Sequence, residues 1–581
     1  MSRRTPLILA AVLLVAVVSG CVRLPDSGPV VESRSDGDVS SDTGVSFDPR
    51  PPQRGATRVE IVRQFLIAMQ AVPISTKVAR TFLTADAAAS WDPRQQTVTY
   101  DVSPTPREIS GGIAITLGAA EHLDSRGAWR GDLPRAQREI TFPMTLEAGE
   151  WRIDGLPDAL IVPRDWFQQY YRQVSLYFFD PTASILVPEP VFVPRGDQLA
   201  SALTQALLLG PSPGLERVTQ SFVPPGLEVA VGVTVSDDGV ADILLSGDVG
   251  PLSADTTQRM LAQLAWTLRQ EPAVGSIRLS VNGDPVPLPG GVSSYRVDGG
   301  AQFDPSGFQA SPLLYGLRRG GVVSGTSTGL APVDGPLGTR RLGLQSIGVS
   351  LDASTVAGIG AGGTAVLVGG LGAGVDTEVQ TVVSGGQDFL KPAWDFSGRM
   401  WLVDRTGRGA RVSYVQGTTV RPLRVPGISG REVRMFLVSR DGSRLVAVVR
   451  RPAGDTLVVS RIQHGGTGRV LGATRATRIG SEEASLPIRA IAWRTPTSVA
   501  VLSPPVTTSL ASVGVASVDG SPSSQEPSSV TVEGRLVGLA GSPAGDEPVY
   551  GLTRDGLVDI TSADQRLTPL AKGVTELVYV G

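Results

Sequence analysis

The residue types that carry most enzyme chemistry are scarce and far apart in this chain. Its 581 residues include one cysteine, Cys21, and two histidines, His122 and His464. A structural zinc site draws on about four Cys or His ligands, so none can be assembled from this set. An intrachain disulfide is impossible. Nucleophilic catalysis through Ser-His-Asp or Cys-His is poorly supplied with imidazole base. No metal, cofactor or catalytic residue is therefore expected. Carboxylates are more plentiful. Asp352, Asp395 and Asp441 recur at one point of a repeated segment, and Asp237-Asp238 precedes Gly239. Such carboxylates could hold a cation or act as acid and base. Tight turns also favour Asp, for backbone reasons, and turn formation is the reading adopted for all five. His122 falls in a hairpin and His464 in the glycine-rich "RIQHGGTGR"; both are expected to be solvated or at an edge.

The elements that position these residues begin with an export signal. Arg3 and Arg4 precede an apolar run from Leu7 to Val18, followed by Ser19-Gly20-Cys21. Spanning a bilayer takes about 20 apolar residues, so this run is a signal peptide rather than a membrane helix. Val18-Ser19-Gly20-Cys21 resembles the lipobox of bacterial lipoproteins. The resemblance implies cleavage between Gly20 and Cys21, a diacylglycerol on the Cys21 sulfur and an acylated new amino terminus. One acyl chain holds a protein only marginally, whereas two or three make a durable anchor. Residues 21–55 are rich in Ser, Asp, Gly and Pro and read as a flexible tether.

The pattern then changes several times. Within 56–172, Val62, Phe65, Leu66, Met69 and Val72 follow helical spacing and a second helix is expected over 77–89. Alternation at Ile113–Leu117, Ile140–Leu146 and Trp151–Ile153 predicts an antiparallel sheet behind the helices, an α+β unit that resembles the NTF2-like cone. Within 173–290, "VSLYFFD" and "LVPEPVFV" read as strands and 197–209 as a helix stopped by Gly210-Pro211. Valines at 229, 231, 233 and 235 alternate up to a hairpin turn at Ser236–Gly239. Ser253 suits the cap of a second helix, and "IRLSVNGD" closes the unit. "ALLLGPSPG", "LAWTLRQ" and "VNG" together resemble the GerMN domain, which has no established chemistry.

After a linker at 291–312, residues 313–581 contain an internal repeat. Five segments, among them "PAWDFSGRMWLVDR" and "MFLVSRDGSRLVAVV", share a strand–turn–strand pattern. Aligned at Ser350, Trp394, Ser439, Trp493 and Gly541 they are spaced by 44, 45, 54 and 48 residues. A period near 45 is that of a β-propeller blade. "LLYGLRRGGVVSG" lacks the opening strand of a blade, and the terminal "TELVYVG" looks like an opening strand with nothing after it. Pairing of Glu576–Val580 beside Leu313–Leu317 is therefore expected, closing six blades without a free edge. The fold class is multidomain, α+β followed by all-β.

A lipobox, a tether, an α+β unit, a GerMN-like unit and a propeller, in this order, resemble the actinobacterial LpqB lipoprotein family, with "LYFFDPTASILVPEP" among the most specific segments. The resemblance implies an accessory protein on the extracytoplasmic face of the cell membrane. It would bind the sensor domain of the MtrB histidine kinase and modulate MtrA–MtrB signalling in cell-wall homeostasis and division. Two alternatives stay open: a lipoprotein that binds peptidoglycan or another envelope polymer, and a propeller glycosidase or lyase. Nucleic acid is not an expected partner. Charge adds an independent point. Residues 313–581 carry 27 basic and 21 acidic side chains, whereas residues 22–312 carry 23 and 34. The basic half is expected to meet an acidic surface through arginines such as Arg318, Arg319, Arg340, Arg341, Arg450 and Arg451.

Overall fold

The structure, a computed structural model, describes residues 46–196, 198–372, 378–480, 487–504, 510–522, 529–570 and 572–581. Gly20, Cys21, the signal peptide and most of the tether lie outside the described residues. The chain is multidomain and mostly β.

The first folded part begins with the helix Arg58–Ala68. Thr57 accepts a hydrogen bond from the Glu60 amide, and the Glu60 carboxylate accepts from the Thr57 amide, a reciprocal cap that fixes the start. Ile61, Val62, Phe65 and Leu66 turn inward, and the Phe65 ring meets Phe82, Trp91 and Phe142. The single helix expected over 77–89 is instead two, Lys77–Arg80 and Ala85–Ser90. The break is tertiary in origin: the Thr84 amide donates to the Ile153 carbonyl and the Ile153 amide to Phe82, so the chain leaves helical geometry to join a sheet edge. The expected strands around Ile113–Leu117, Ile140–Leu146 and Trp151–Ile153 do pair antiparallel in one sheet, and a second sheet not foreseen from the sequence accompanies it, so that there are two. One has the order Trp129–Asp132, Glu121–Asp124, Gln96–Tyr100 and Leu160–Pro163, the last pair being parallel. The other joins Arg107–Ile109, Gly112–Thr116, Glu139–Glu147 and Glu150–Ile153.

The second part opens on a long antiparallel hairpin, Tyr171–Phe179 with Leu186–Pro194, which runs across the expected junction at 172/173. Helices Leu199–Leu208 and Ala254–Leu268 pack on it, the latter capped by the Ser253 hydroxyl, which accepts from the Thr256 amide at 3.1 Å. The alternating valines do not form one strand. Only Glu228–Val229 and Thr234–Val235 pair with Val240–Ser246, because between them the Val233 amide donates to Ser201 Oγ at 2.8 Å and draws the chain toward the first helix. Val240–Ser246 and Ser276–Val281 run parallel, as the intervening helix requires.

From Leu314 onward, antiparallel sheets of four strands, one of them with a fifth, succeed one another. Their innermost strands, Ser346–Val349, Ala393–Trp394, Val433–Val438, Ala490–Thr495, Gly538–Ala540 and Val574–Val578, touch in a closed ring. The last of these pairs with Leu314–Arg318, Tyr315 facing Val578 and Leu317 facing Glu576, so the chain's two fragments complete one sheet as expected. Crowding at the ring is severe: a Cβ on Gly348 would collide with the Pro392 carbonyl, and one on Gly541 with the Trp493 carbonyl.

Candidate functional site

Every inner strand of the ring runs from one face of the propeller to the other, so the face that carries the carboxyl ends is distinct from the face that carries the amino ends. The two faces differ in chemistry.

The carboxyl-end face is closed by the second folded part. Glu189, on the strand Leu186–Pro194, reaches Arg461 Nη1 at 2.8 Å and Nη2 at 2.5 Å, and Arg444 Nη2 at 3.0 Å. Arg444 is wholly buried and also donates to the Pro188 carbonyl. Gln173 Nε2 meets Ser517 Oγ and Ser521 Oγ at 3.1 and 2.9 Å, and the His464 amide donates to the Arg217 carbonyl at 2.7 Å. The linker joins the same assembly: Arg440 Nη1 donates to Ser306 O at 2.9 Å and its Nε and Nη2 to Val580 O, tying the middle of the propeller to its last residues.

The recurrent aspartates occupy the turns of this face and serve the backbone. Asp352 accepts from Ser350 Oγ and the Ser354 amide, and Asp441 from Ser439 Oγ at 2.6 Å and the Ser443 amide at 2.7 Å. Asp395 does more. It is fully buried, accepts from the Ser397 amide, Trp401 Nε1 and Arg399 Nε, and so anchors a buried ion pair as well as its turn. Asp238 accepts from Ser236 Oγ at 2.6 Å in the exposed turn closed by Gly239, whose φ of 76° favours glycine. Among the described residues no group of three His, Cys, Asp or Glu is placed to hold a metal ion.

Both histidine expectations need correction. His464 is buried, not solvated, at the end of the strand Gly454–His464. Burial, helped by the neighbouring Arg399, pushes its pKa down to about 3, so the ring is neutral, and Nε2 has no partner among the described residues. His122 is half-buried on an inner strand, between Val98 and Gly131, with Nδ1 3.2 Å from the Gly131 carbonyl oxygen. Burial lowers its pKa as well. In both cases the tertiary packing covers a residue that lies in a polar local sequence.

The amino-end face is basic, and among the described residues no hydrogen bond or ion pair joins it to the second part. All six arginines picked out from the sequence lie on it. Arg318 and Arg319 occupy the turn after Leu314–Arg318, Arg340 and Arg341 precede the inner strand Ser346–Val349, and Arg450 and Arg451 end the strand Arg444–Arg451. All but Arg318 are exposed, and Arg450 shares the buried Asp455 with Arg434. A channel through the ring opens on this face. Its mouth is a cavity of about 330 Å³ reached by Gln345, Lys391, Arg434, Thr575 and Glu576. Toward the other face it narrows to about 40 Å³ beside Arg440 and Gly581. Sequence reasoning missed Glu189, Lys391 and Glu576 as functional candidates. The available signals were slight: a carboxylate between prolines in an apolar strand, and one of only three lysines in the chain.

Comparison with known proteins agrees with this layout. Residues 51–168 match the family described as "Lipoprotein LpqB, N-terminal domain", residues 175–287 that described as "Sporulation and spore germination", and residues 320–574 the "Lipoprotein LpqB beta-propeller domain". "Lipoprotein LpqB" of Thermobifida fusca is 28% identical over 78% of this chain and 80% of its own. "Lipoprotein LpqB" of Streptomyces avermitilis is 27% identical over 97% of this chain and 96% of its own. Among solved structures, TolB from Acinetobacter baumannii is 15% identical over 46% of this chain and 66% of that one, with a TM-score of 0.32. With two matched families named for it and relatives of that name matching 78% and 97% of its length, the chain belongs to the LpqB lipoprotein family.

Proposed function

We propose that this chain is a lipid-anchored accessory protein of the extracytoplasmic membrane face that recognises the sensor domain of the MtrB histidine kinase and modulates MtrA–MtrB signalling in cell-wall homeostasis and division. It acts by binding and catalyses no reaction. On this reading Cys21, after cleavage from Gly20, carries the diacylglycerol and an N-acyl group. Residues 21–55 form the tether, 56–172 an NTF2-like domain, 173–290 a GerMN-like domain, 291–312 a linker and 313–581 a propeller of six blades. Family membership supports the anchor. Among the described residues no helix is long and apolar enough to cross a membrane.

The observation that carries the recognition step is the gathering of Arg318, Arg319, Arg340, Arg341, Arg450 and Arg451 on the amino-end face of the propeller. Such a surface attracts an acidic partner and accelerates encounter, and salt screens the attraction. The same chemistry would suit an anionic envelope polymer, which is the second reading. The test is capture of the purified MtrB sensor domain in parallel with purified peptidoglycan, using the wild-type chain and the variant Arg340→Glu/Arg341→Glu. Capture of the sensor domain that weakens in the variant and in about 0.5 M salt supports the signalling role. Capture of peptidoglycan alone favours the second reading. A Cys21→Ser variant that stays in the membrane fraction as firmly as the natural chain would contradict the anchor.

A further inference from the structure

The mouth of the propeller channel holds a combination of groups that the reading above does not use. Gln345 and Lys391, just before the inner strands of two sheets, and Arg434 and Glu576, on the inner strands of two others, line one cavity. Lys391 is half-buried, yet among the described residues its ammonium has neither a hydrogen bond nor an ion pair. Arg434 binds Asp455 through Nη1 at 2.8 Å, and its other guanidinium nitrogens have no partner there. The Glu576 Oε2 accepts from the Ile347 amide at 2.9 Å, and Oε1 is left without a protein partner.

Two features argue that these groups face a ligand rather than each other. Lys391 and Glu576 line the same cavity but stop short of ion-pair distance, so a gap separates an unpaired ammonium from a carboxyl oxygen without a protein partner. A molecule bearing both charges would bridge it. The local balance is also positive: Arg434 and Arg450 share the single carboxylate of Asp455, and Lys391 adds a cation beside Glu576, whose burial raises its pKa to about 7. A guest of net negative charge offsets this excess. The cavity's size, about 330 Å³, is at the lower end of the range for small-molecule sites. Beyond Leu437 and Ile491 the channel narrows to about 40 Å³ beside Arg440, room for a few waters but not for a dipeptide.

We propose that the channel mouth is a binding site for a small acidic zwitterion of the amino-acid or dipeptide class. Its carboxylates lie against Lys391 and the open side of Arg434, and its ammonium against Glu576 Oε1. Gln345 supplies further hydrogen bonds. This inference does not rest on the kinase reading, because Gln345, Lys391, Arg434 and Glu576, which would touch the guest, line the cavity and are not among the six arginines of the amino-end face.

The experiment is calorimetric titration of the full mature chain with alanyl-glutamate, which carries one net negative charge, and with inorganic phosphate. Saturable binding of alanyl-glutamate, with Lys391→Met and Gln345→Ala each weakening it, Lys391→Met by about tenfold or more, is the expected result. Retention of the wild-type melting temperature shows that each variant is folded. Arg340→Glu, outside the cavity, leaves the affinity within about twofold while altering capture of the sensor domain, which separates the two proposals. The inference is overturned by the absence of saturable heat up to about 10 mM dipeptide. Phosphate binding as tightly as the dipeptide overturns it too, as does a Lys391→Met variant with undiminished affinity.

Discussion

Replacing Glu189 by Ala tests whether the second part and the propeller are welded or merely adjacent. Glu189 faces two guanidinium groups, Arg444 with no solvent exposure of its side chain and Arg461 with 17%. Taking the carboxylate away leaves a positive charge in a site without solvent, and removal of one partner from a buried pair costs about 3–5 kcal/mol. Arg444 keeps the Pro188 carbonyl and the carboxylate of Asp441, at 3.5 Å, so the lower half of that range is expected. At roughly 2–4 °C per kcal/mol for a unit of this size, thermal unfolding of the propeller should fall by about 6–16 °C. Glu189→Gln keeps an acceptor oxygen and should lose less than Glu189→Ala. The assay is calorimetric unfolding of the mature chain, together with the cycle Glu189→Ala, Arg461→Ala and the double variant. Coupling of about 1 kcal/mol or more places the pair's energy in the docked state. A Glu189→Ala variant that melts within about 1 °C of the natural chain, with no coupling to Arg461, would refute the reasoning.

The remaining expectations concern ionisation and closure of the ring. His464, held near pKa 3, contributes stability that is complete above pH 6.5 and is lost as pH falls toward 3. Between pH 7 and pH 5 the natural chain should therefore lose about 2 kcal/mol more than His464→Gln, measured by urea unfolding, and equal losses would contradict this. Glu576 has the opposite sign. Burial, against the pull of Lys391, raises its pKa to about 7, so its contribution is intact below pH 4.5 and lost as pH rises through 7. Glu576→Gln should match the natural chain at pH 4.5 and exceed it by up to about 3 kcal/mol at pH 8; a pH-independent difference would be inconsistent. Arg440→Met leaves the Val580 and Ser306 carbonyls without their donor, and hydrogen exchange of the Val574–Val578 amides should accelerate about tenfold or more, unchanged exchange excluding its role in closure.

The order of parts was readable along the chain because it depends on local signals. Helical spacing around Phe65, the cap at Ser253 and the repeat from Ser350 to Gly541 report short-range periodicity, and so does the unfinished sheet at Leu314. Even the long-range pairing of Leu317 with Glu576 followed from two fragments that each lacked what the other possessed. The expectations that failed did so where distant segments meet. The helix over 77–89 broke because Ile153 offers Thr84 a sheet partner. The valine strand parted at Val233 because Ser201 stands beside it. His464 looked solvated among glycines and is buried because Arg217 lies across its strand.

What the amino-acid order determined alone is the succession of elements, the turn role of the aspartates, the arginine excess of the last half and the scarcity of groups for covalent chemistry. Tertiary structure decided where the charges stand. It took Arg444 and Arg461 inward to Glu189, gathered Arg340, Arg341, Arg450 and Arg451 on the opposite face, and brought Lys391 and Glu576, 185 positions apart, to one cavity. Periodicity is a property of neighbours in the chain. Desolvation and the pairing of charges depend on which surfaces the closed ring buries, and no stretch of sequence contains that information.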